Sequence, residues 1–377
     1  MLDPQSTALF VLLVVTFGAL MGWMLVTGRA VLRVFAACLA FTLGVLFGVI
    51  AVNKYYGYYA TWSAMIGDLT SQGVKGVNSA PQVPQVPHGG RKMNSGLARR
   101  QGYILRLAVA GSRSHLTRAV YVYLPPQYFW SSYKRYRFPV IELIHGQPGE
   151  PQDWITVVGV TMTLDHLMNE DLARPAVLVM PDANGAKDVS LQCLNQVGGP
   201  QDLTYLAGDL PDRIAHVVRV QPPGAGWGVA GYSEGGFCAA NMALQFRYRY
   251  GFAGVLSGYF SPFENQLAHP IRLVSPFGGS RVLQRDNTPL EEVQQLPAGA
   301  VIPRFWLGAG TDNKLDVADA ELFWQELELQ QTDVPLALIA GGGHNMATWQ
   351  AEVPRMLTWM TQGLAQVAQQ GPAKSQH

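Results

Sequence analysis

Hydrophobic positions fall along this chain in three regimes: two uninterrupted apolar runs, a polar stretch rich in Pro and Gly, and then short apolar runs alternating with helix-period segments. Residues Ser6 to Val26 (STALFVLLVVTFGALMGWMLV) and Val34 to Val52 (VFAACLAFTLGVLFGVIAV) contain no charge, and each is long enough as a helix to cross a hydrocarbon core of about 30 Å. The pattern predicts a two-helix transmembrane hairpin over residues 1–60. A cleaved signal peptide is the competing reading of the first run, but the leading MLDPQ carries an Asp and no Lys or Arg. Arg29 and Arg33 lie between the two runs, whereas only Lys54 lies beyond the second, so the positive-inside bias puts the connecting loop in the cytoplasm and both ends outside. Tyr55, Tyr56, Tyr58, Tyr59 and Trp62 follow at once, as amphipathic rings do at headgroup level, although the same rings would suit a docking helix.

From Ser71 to Gln101 no apolar period survives, and residues 61–101 read as a juxtamembrane segment and linker. Behind it, apolar runs bounded by turn residues predict strands at Tyr103 to Ala110, Ala119 to Leu124, Pro139 to Ile144, Ala176 to Met180, Gly228 to Tyr232, Ala253 to Ser257, Arg304 to Leu307 and Pro335 to Ile339. Helical periods cover Asp209 to Val220, Gly236 to Tyr248, Val317 to Leu329 and Trp349 to Gln362. Strands alternating with helices imply one mostly parallel eight-stranded sheet with helices on both faces, entered through an antiparallel pair and occupying residues 102–365. Ser261 to Pro297 shows no clear period and is expected to form an insertion or cap, and residues 366–377 a disordered tail.

Composition narrows the function classes. Of 377 residues, 27 are basic and 26 acidic, so no long-range field favours nucleic acid as a partner. No Cys or His spacing suits a zinc site, and no Gly-rich phosphate loop occurs, so neither a metal nor an organic cofactor is expected.

The sharpest chemical signal is Gly231-Tyr232-Ser233-Glu234-Gly235, which lies between a predicted strand and a predicted helix. G-x-S-x-G in that setting is a nucleophile elbow, in which the glycines allow a tight turn that lifts the Ser hydroxyl above the sheet. The bland alternative is a serine at a helix N-cap. The elbow also puts the Glu234 backbone N–H at the helix N-terminus, where it can stabilise an oxyanion. A serine hydroxyl needs a base, and His344 in Gly341-Gly342-Gly343-His344-Asn345 follows the last strand, as this arrangement requires. The orienting acid should lie in Gly308-Ala309-Gly310-Thr311-Asp312-Asn313-Lys314-Leu315-Asp316, where Asp312 and Asp316 both qualify. Asp316 also suits the N-cap of a helix starting at Val317, which makes Asp312 the preferred acid. After the third strand, His145-Gly146-Gln147 occupies the loop that supplies the second oxyanion donor, taken as the Gln147 backbone N–H, with His145 expected in a structural hydrogen bond.

The runs IELIHG with Trp154 following, VLVMPDANG, GVAGYSEGGFCAANMAL, FWLGAGTD and GGGHNMATW together resemble the putative-esterase family, which groups esterase D, feruloyl esterases and mycolyltransferases. The resemblance spans Gly102 to Leu364. It implies an α/β-hydrolase fold, a triad of Ser233, Asp312 and His344, and oxyanion donors at Gln147 and Glu234. In one respect the chain departs from the pattern: relatives often place the acid one position further on, where this chain has Asn313, so Asp316 stays open as the alternative acid. Family members similar to this chain also carry a cysteine pair like Cys193 and Cys238, which makes a disulfide an expectation beside that of two free buried thiols.

These readings converge on a cell-membrane protein with its catalytic domain outside the cytoplasm, hydrolysing carboxylic esters, with membrane lipids among the candidate substrates. Transfer of the acyl group to a sugar or lipid alcohol is the close alternative, and a non-catalytic membrane scaffold the distant one.

Overall fold

A computed structural model describes residues 3–4, 6–56, 62, 65, 95–186, 189–263, 266–268, 272–297, 300–330 and 333–370. The chain divides into two units, one built on the N-terminal helices and one on an α/β sheet.

The first unit holds helices α1 (Thr7–Val26) and α2 (Ala30–Tyr56). Ser6 caps α1 by accepting from the Leu9 N–H, and the rings of Phe10 and Phe47 pack at a tilt with centroids 4.6 Å apart. Both helices are apolar all round rather than along one stripe, and Val26, Val31 and Phe41 stay exposed. Of the belt residues, Tyr58 and Tyr59 lie outside the described residues, as does the linker from Ser71 to residue 94.

In the second unit, α3 (Ser95–Gln101) leads into β1 (Tyr103–Ala110) and β2 (Thr117–Leu124), which pair antiparallel in full register. There follow β3 (Val140–Ile144), α4 (Asp153–Thr156), α5 (Val160–Asn169), β4 (Val177–Pro181), α6 (Leu210–Val217), β5 (Gly224–Tyr232), α7 (Glu234–Gln245) and β6 (Tyr250–Leu256). A small hairpin of β7 (Gln266–Ala268) and β8 (Arg272–Val274), then α8 (Arg281–Arg285) and α9 (Pro289–Gln295), fill the expected insertion. The chain closes with β9 (Arg304–Gly310), α10 (Lys314–Leu329), β10 (Leu336–Ile339) and α11 (Met346–Gln370).

The eight principal strands form one sheet in the order β1-β2-β4-β3-β5-β6-β9-β10, with all pairs from β4 through β10 parallel. All five residues of β3 and of β4 are buried, as strands covered on both faces must be, and so their sequences read as continuous apolar runs rather than alternation. Two expectations need correction. Helix α10 begins at Lys314 rather than Val317, because the Asn313 side chain caps it, and α11 runs to Gln370, past the point where a disordered tail was expected.

Candidate active site

Ser233 stands between β5 and α7 with φ 56° and ψ −121°, a conformation that L-residues adopt at a cost and that sites retain when the surroundings enforce it. The enforcement is steric. A Cβ on Gly231 would sit 2.1 Å from the Gly235 carbonyl oxygen, and one on Gly235 would sit 2.2 Å from that of Ile144. The two glycines of the elbow therefore permit a turn so tight that β5, α7 and β3 pack backbone to backbone. The Ser233 N–H donates to the Leu256 carbonyl at 2.9 Å, fixing the turn to β6.

His344 Nε2 lies 2.8 Å from Ser233 Oγ, and its Nδ1 lies 2.7 Å from Asp316 Oδ2. Asp316 is buried on the first turn of α10. The preference for Asp312 is corrected here: Asp312 is exposed, and its backbone N–H donates to the Gly342 carbonyl at 2.8 Å. The reason is the capping. Asn313 Oδ1 accepts from the N–H groups of Leu315 and Asp316, so Asn313 takes the N-cap role assigned to Asp316, whose carboxylate is left for the imidazole. Trp349 meets the His344 ring edge to face with centroids 5.2 Å apart and stacks on Tyr232 at 4.5 Å, holding the imidazole from the side. This aromatic support was missed in the sequence; its only signal is a Trp one helical turn beyond the histidine loop.

His145 is buried with both ring nitrogens engaged. Nδ1 lies 2.8 Å from the Gly146 carbonyl, and Nε2 accepts from the Ala183 N–H at 3.1 Å, which fixes the neutral tautomer. Burial pushes its pKa down, in keeping with that tautomer and with the structural bond expected of it. Among the described residues, neither the Gln147 nor the Glu234 backbone N–H donates to a protein acceptor, so both amides near the elbow are unclaimed.

Cys193 and Cys238 form a disulfide, with Cα atoms 5.6 Å apart, between the segment after β4 and α7. Glu352, on α11, is missed by sequence reasoning altogether. Its carboxyl is fully buried near Gly308 with neither oxygen hydrogen-bonded among the described residues, and burial together with the Asp316 charge holds its pKa well above the usual range. No group of His, Cys, Asp and Glu suited to a metal ion occurs among the described residues.

A parallel sheet with a serine elbow at one strand end, a histidine after the last strand and a carboxylate between them in sequence defines the α/β-hydrolase class. Residues 114–360 match the family described as "Putative esterase", and the chain belongs to that family. Among similar solved structures, a ferulic acid esterase superposes with a TM-score of 0.58 at 19% identity, over 70% of this chain and 99% of that one. An S-formylglutathione hydrolase from Agrobacterium tumefaciens gives 0.56 at 17%, over 70% and 96%. Fluorophosphonate-binding serine hydrolase F of Staphylococcus aureus gives 0.57 at 18%, over 69% and 98%. An uncharacterized protein of Corynebacterium glutamicum is 23% identical over 273 residues, 70% of this chain but only 62% of its own length, so this chain spans less than two thirds of that relative.

Proposed function

We propose that this protein is a serine esterase that cleaves carboxylic esters through an acyl-enzyme. The observation that carries the reading is the continuous Ser233–His344–Asp316 relay, with contacts of 2.8 and 2.7 Å. In this reading Ser233 Oγ attacks the ester carbonyl while His344 Nε2 takes its proton. Asp316 holds Nδ1–H and stabilises the imidazolium that forms, and the same proton then goes to the departing alcohol. The Glu234 and Gln147 N–H groups stabilise the tetrahedral oxyanion, and water repeats the sequence on the acyl-enzyme. Ester chemistry is favoured by the likeness to a ferulic acid esterase.

Two helices with long uncharged runs and exposed apolar side chains support a membrane anchor, and Arg29 in the turn between them with Arg33 in the first turn of α2 supports a cytoplasmic loop with the catalytic unit outside. A site so tethered meets lipid-linked esters first. The test is a fluorophosphonate probe on the purified full chain. Labelling should map to Ser233 and vanish in Ser233→Ala together with hydrolysis of p-nitrophenyl acyl esters. Labelling that survives in that variant refutes the assignment.

A further inference from the structure

Glu234 gives its backbone to the elbow, but its side chain serves another segment. Oε1 accepts from Asn184 Nδ2 at 3.0 Å, and Oε2 accepts from Ser190 Oγ. Asn184 in turn accepts the Leu191 N–H through Oδ1 at 3.1 Å. The described residues of this segment, 182–186 and 189–193, follow β4, and their other ties run the same way. Ala183 donates to His145, Gln192 Oε1 accepts from the Phe263 N–H at 2.8 Å and the Tyr259 hydroxyl at 3.2 Å, and Cys193 is bonded to Cys238 on α7. Gln192 and Cys193 have φ of 48° and 49°, a conformation that persists only where such ties enforce it. Since β4, β3 and β5 are parallel neighbours, the segment leaves the sheet at the edge where Ser233 stands, which is where ligands of parallel α/β sheets bind.

We propose that the Glu234 carboxyl is a positioning residue that holds the segment after β4 as one wall of the ester-binding cleft, and that its ionisation loosens that wall. The proposal rests on Ser233 being the nucleophile only in calling the cleft an ester site. Beneath the segment Glu234 is buried, and burial pushes its pKa up to about 7 against the pull of the bonds from Ser190 and Asn184 and the Gln192 backbone. Its charged and titratable neighbours among the described residues are Asp202, itself raised by burial to about 6 despite Arg118, and the Tyr259 hydroxyl, which burial holds well above its usual value. When the segment detaches, water reaches Glu234 and its pKa returns toward the ordinary range near 4.5. The attached state then binds more protons than the detached state between those values. Attachment is firmest near pH 5, weakens as pH rises to about 7, and levels off above that.

The experiment is amide hydrogen exchange on full-length Ser233→Ala protein, in which no turnover occurs, corrected for intrinsic exchange across pH 5 to 8.5. Protection at Ala183–Ala186 and Val189–Cys193 should fall as pH rises and flatten above about 7, while protection in β5 and β6 holds. Glu234→Gln, which stays neutral, should make the segment's protection independent of pH. Glu234→Ala and Ser190→Ala should lower it at every pH. In the active background, Glu234→Ala should raise KM about ten-fold, the effect of losing one or two buried hydrogen bonds, with a smaller change in kcat. A Glu234→Gln segment that keeps the full pH dependence overturns the proposal, as does a Ser190→Ala segment with wild-type protection. Failure of the nucleophile reading shows separately, as absent fluorophosphonate labelling of the wild-type protein.

Discussion

The imidazole of His344 is oriented by Asp316, 2.7 Å from Nδ1, from the first turn of a helix that Asn313 caps. Two residues three apart thus divide two duties that either could perform. Asn313 satisfies the helix N–H groups with its side-chain oxygen, and the Asp316 carboxyl group is left free to face the histidine. Replacing Asp316 by Ala should lower kcat by a factor on the order of 10³ or more, as losses within such triads do. Asp312→Ala should stay within a few-fold of wild type. Asn313→Ala should instead cost about 1 kcal/mol of stability, the usual worth of an N-cap, read as a lower Tm. Steady-state kinetics and thermal melts on the three variants check the division, and a large kcat loss in Asp312→Ala with a small one in Asp316→Ala would refute it.

How far the fold could be read in advance depended on the kind of element. All eight strands of the sheet were legible because parallel strands buried on both faces leave apolar runs between turn residues, as VIELI and VLVMP do. Ser233 and His344 were legible because their glycines mark close backbone approaches. The acid was not, since Asp312 and Asp316 differ only in which residue caps α10, and a one-turn shift of a helix start is beyond what periodicity resolves. Glu352 and the Asn184–Glu234–Ser190 network were illegible for a different reason. Each depends on contacts across long sequence separations and leaves no local pattern.

Stability should decline from pH 5 to pH 8. Glu142 lies buried in β3, accepts a hydrogen bond from the Tyr250 hydroxyl at 2.9 Å, and is pushed up to about 8 by burial. The unfolded chain ionises this group near its ordinary value of 4.5 while the folded chain keeps it protonated, so the folded state holds the extra proton and loses stability as pH rises between those values. Asp165, Glu234 and Glu292, each raised to about 7 chiefly by burial, act in the same direction. Glu142→Gln isolates one contribution: its Tm advantage over wild type should be near zero or negative at pH 5 and grow toward pH 8. Parallel Tm curves across that range would rule the linkage out.

Removing the Cys193–Cys238 bond should lower Tm without changing the fold. The cysteines are 45 residues apart, and on the chain-entropy account a loop of that size contributes about 4 kcal/mol. For a domain of this size the loss corresponds to a Tm decrease on the order of 5–15 °C. The double Ala variant and reduced wild type should melt together, and dithiothreitol should leave the double variant unmoved. A reductant-induced shift in that variant would show that the bond is not the cause.

On the proposed anchoring, the N-terminal helices determine which esters the site meets. Val26 and Val31 are about four-fifths exposed and Phe41 three-quarters, in helices without a polar face, so burial of their apolar surface in lipid is strongly favoured. The turn between them is compact: Arg33 Nε donates to the Thr27 carbonyl at 2.6 Å, which places a guanidinium at the carboxyl end of α1, where the helix dipole favours a cation. Moving Arg29 and Arg33 together across the bilayer would oppose the positive-inside bias, so this turn should stay in the cytoplasm and the catalytic unit should lie outside. There a disulfide persists, whereas cytoplasmic thiols are kept reduced. Full-length protein should therefore resist alkaline carbonate extraction, which a chain cleaved after its first apolar run as a signal peptide, leaving only α2, would also do. The two cases separate by size, because cleavage after α1 removes the first 26 or so residues and their mass. External protease on intact cells or spheroplasts should then digest the region between Ser71 and residue 94 and free an active fragment that fluorophosphonate labels. A catalytic unit protected until the membrane is lysed would reverse the orientation and move its substrates to the cytoplasmic leaflet.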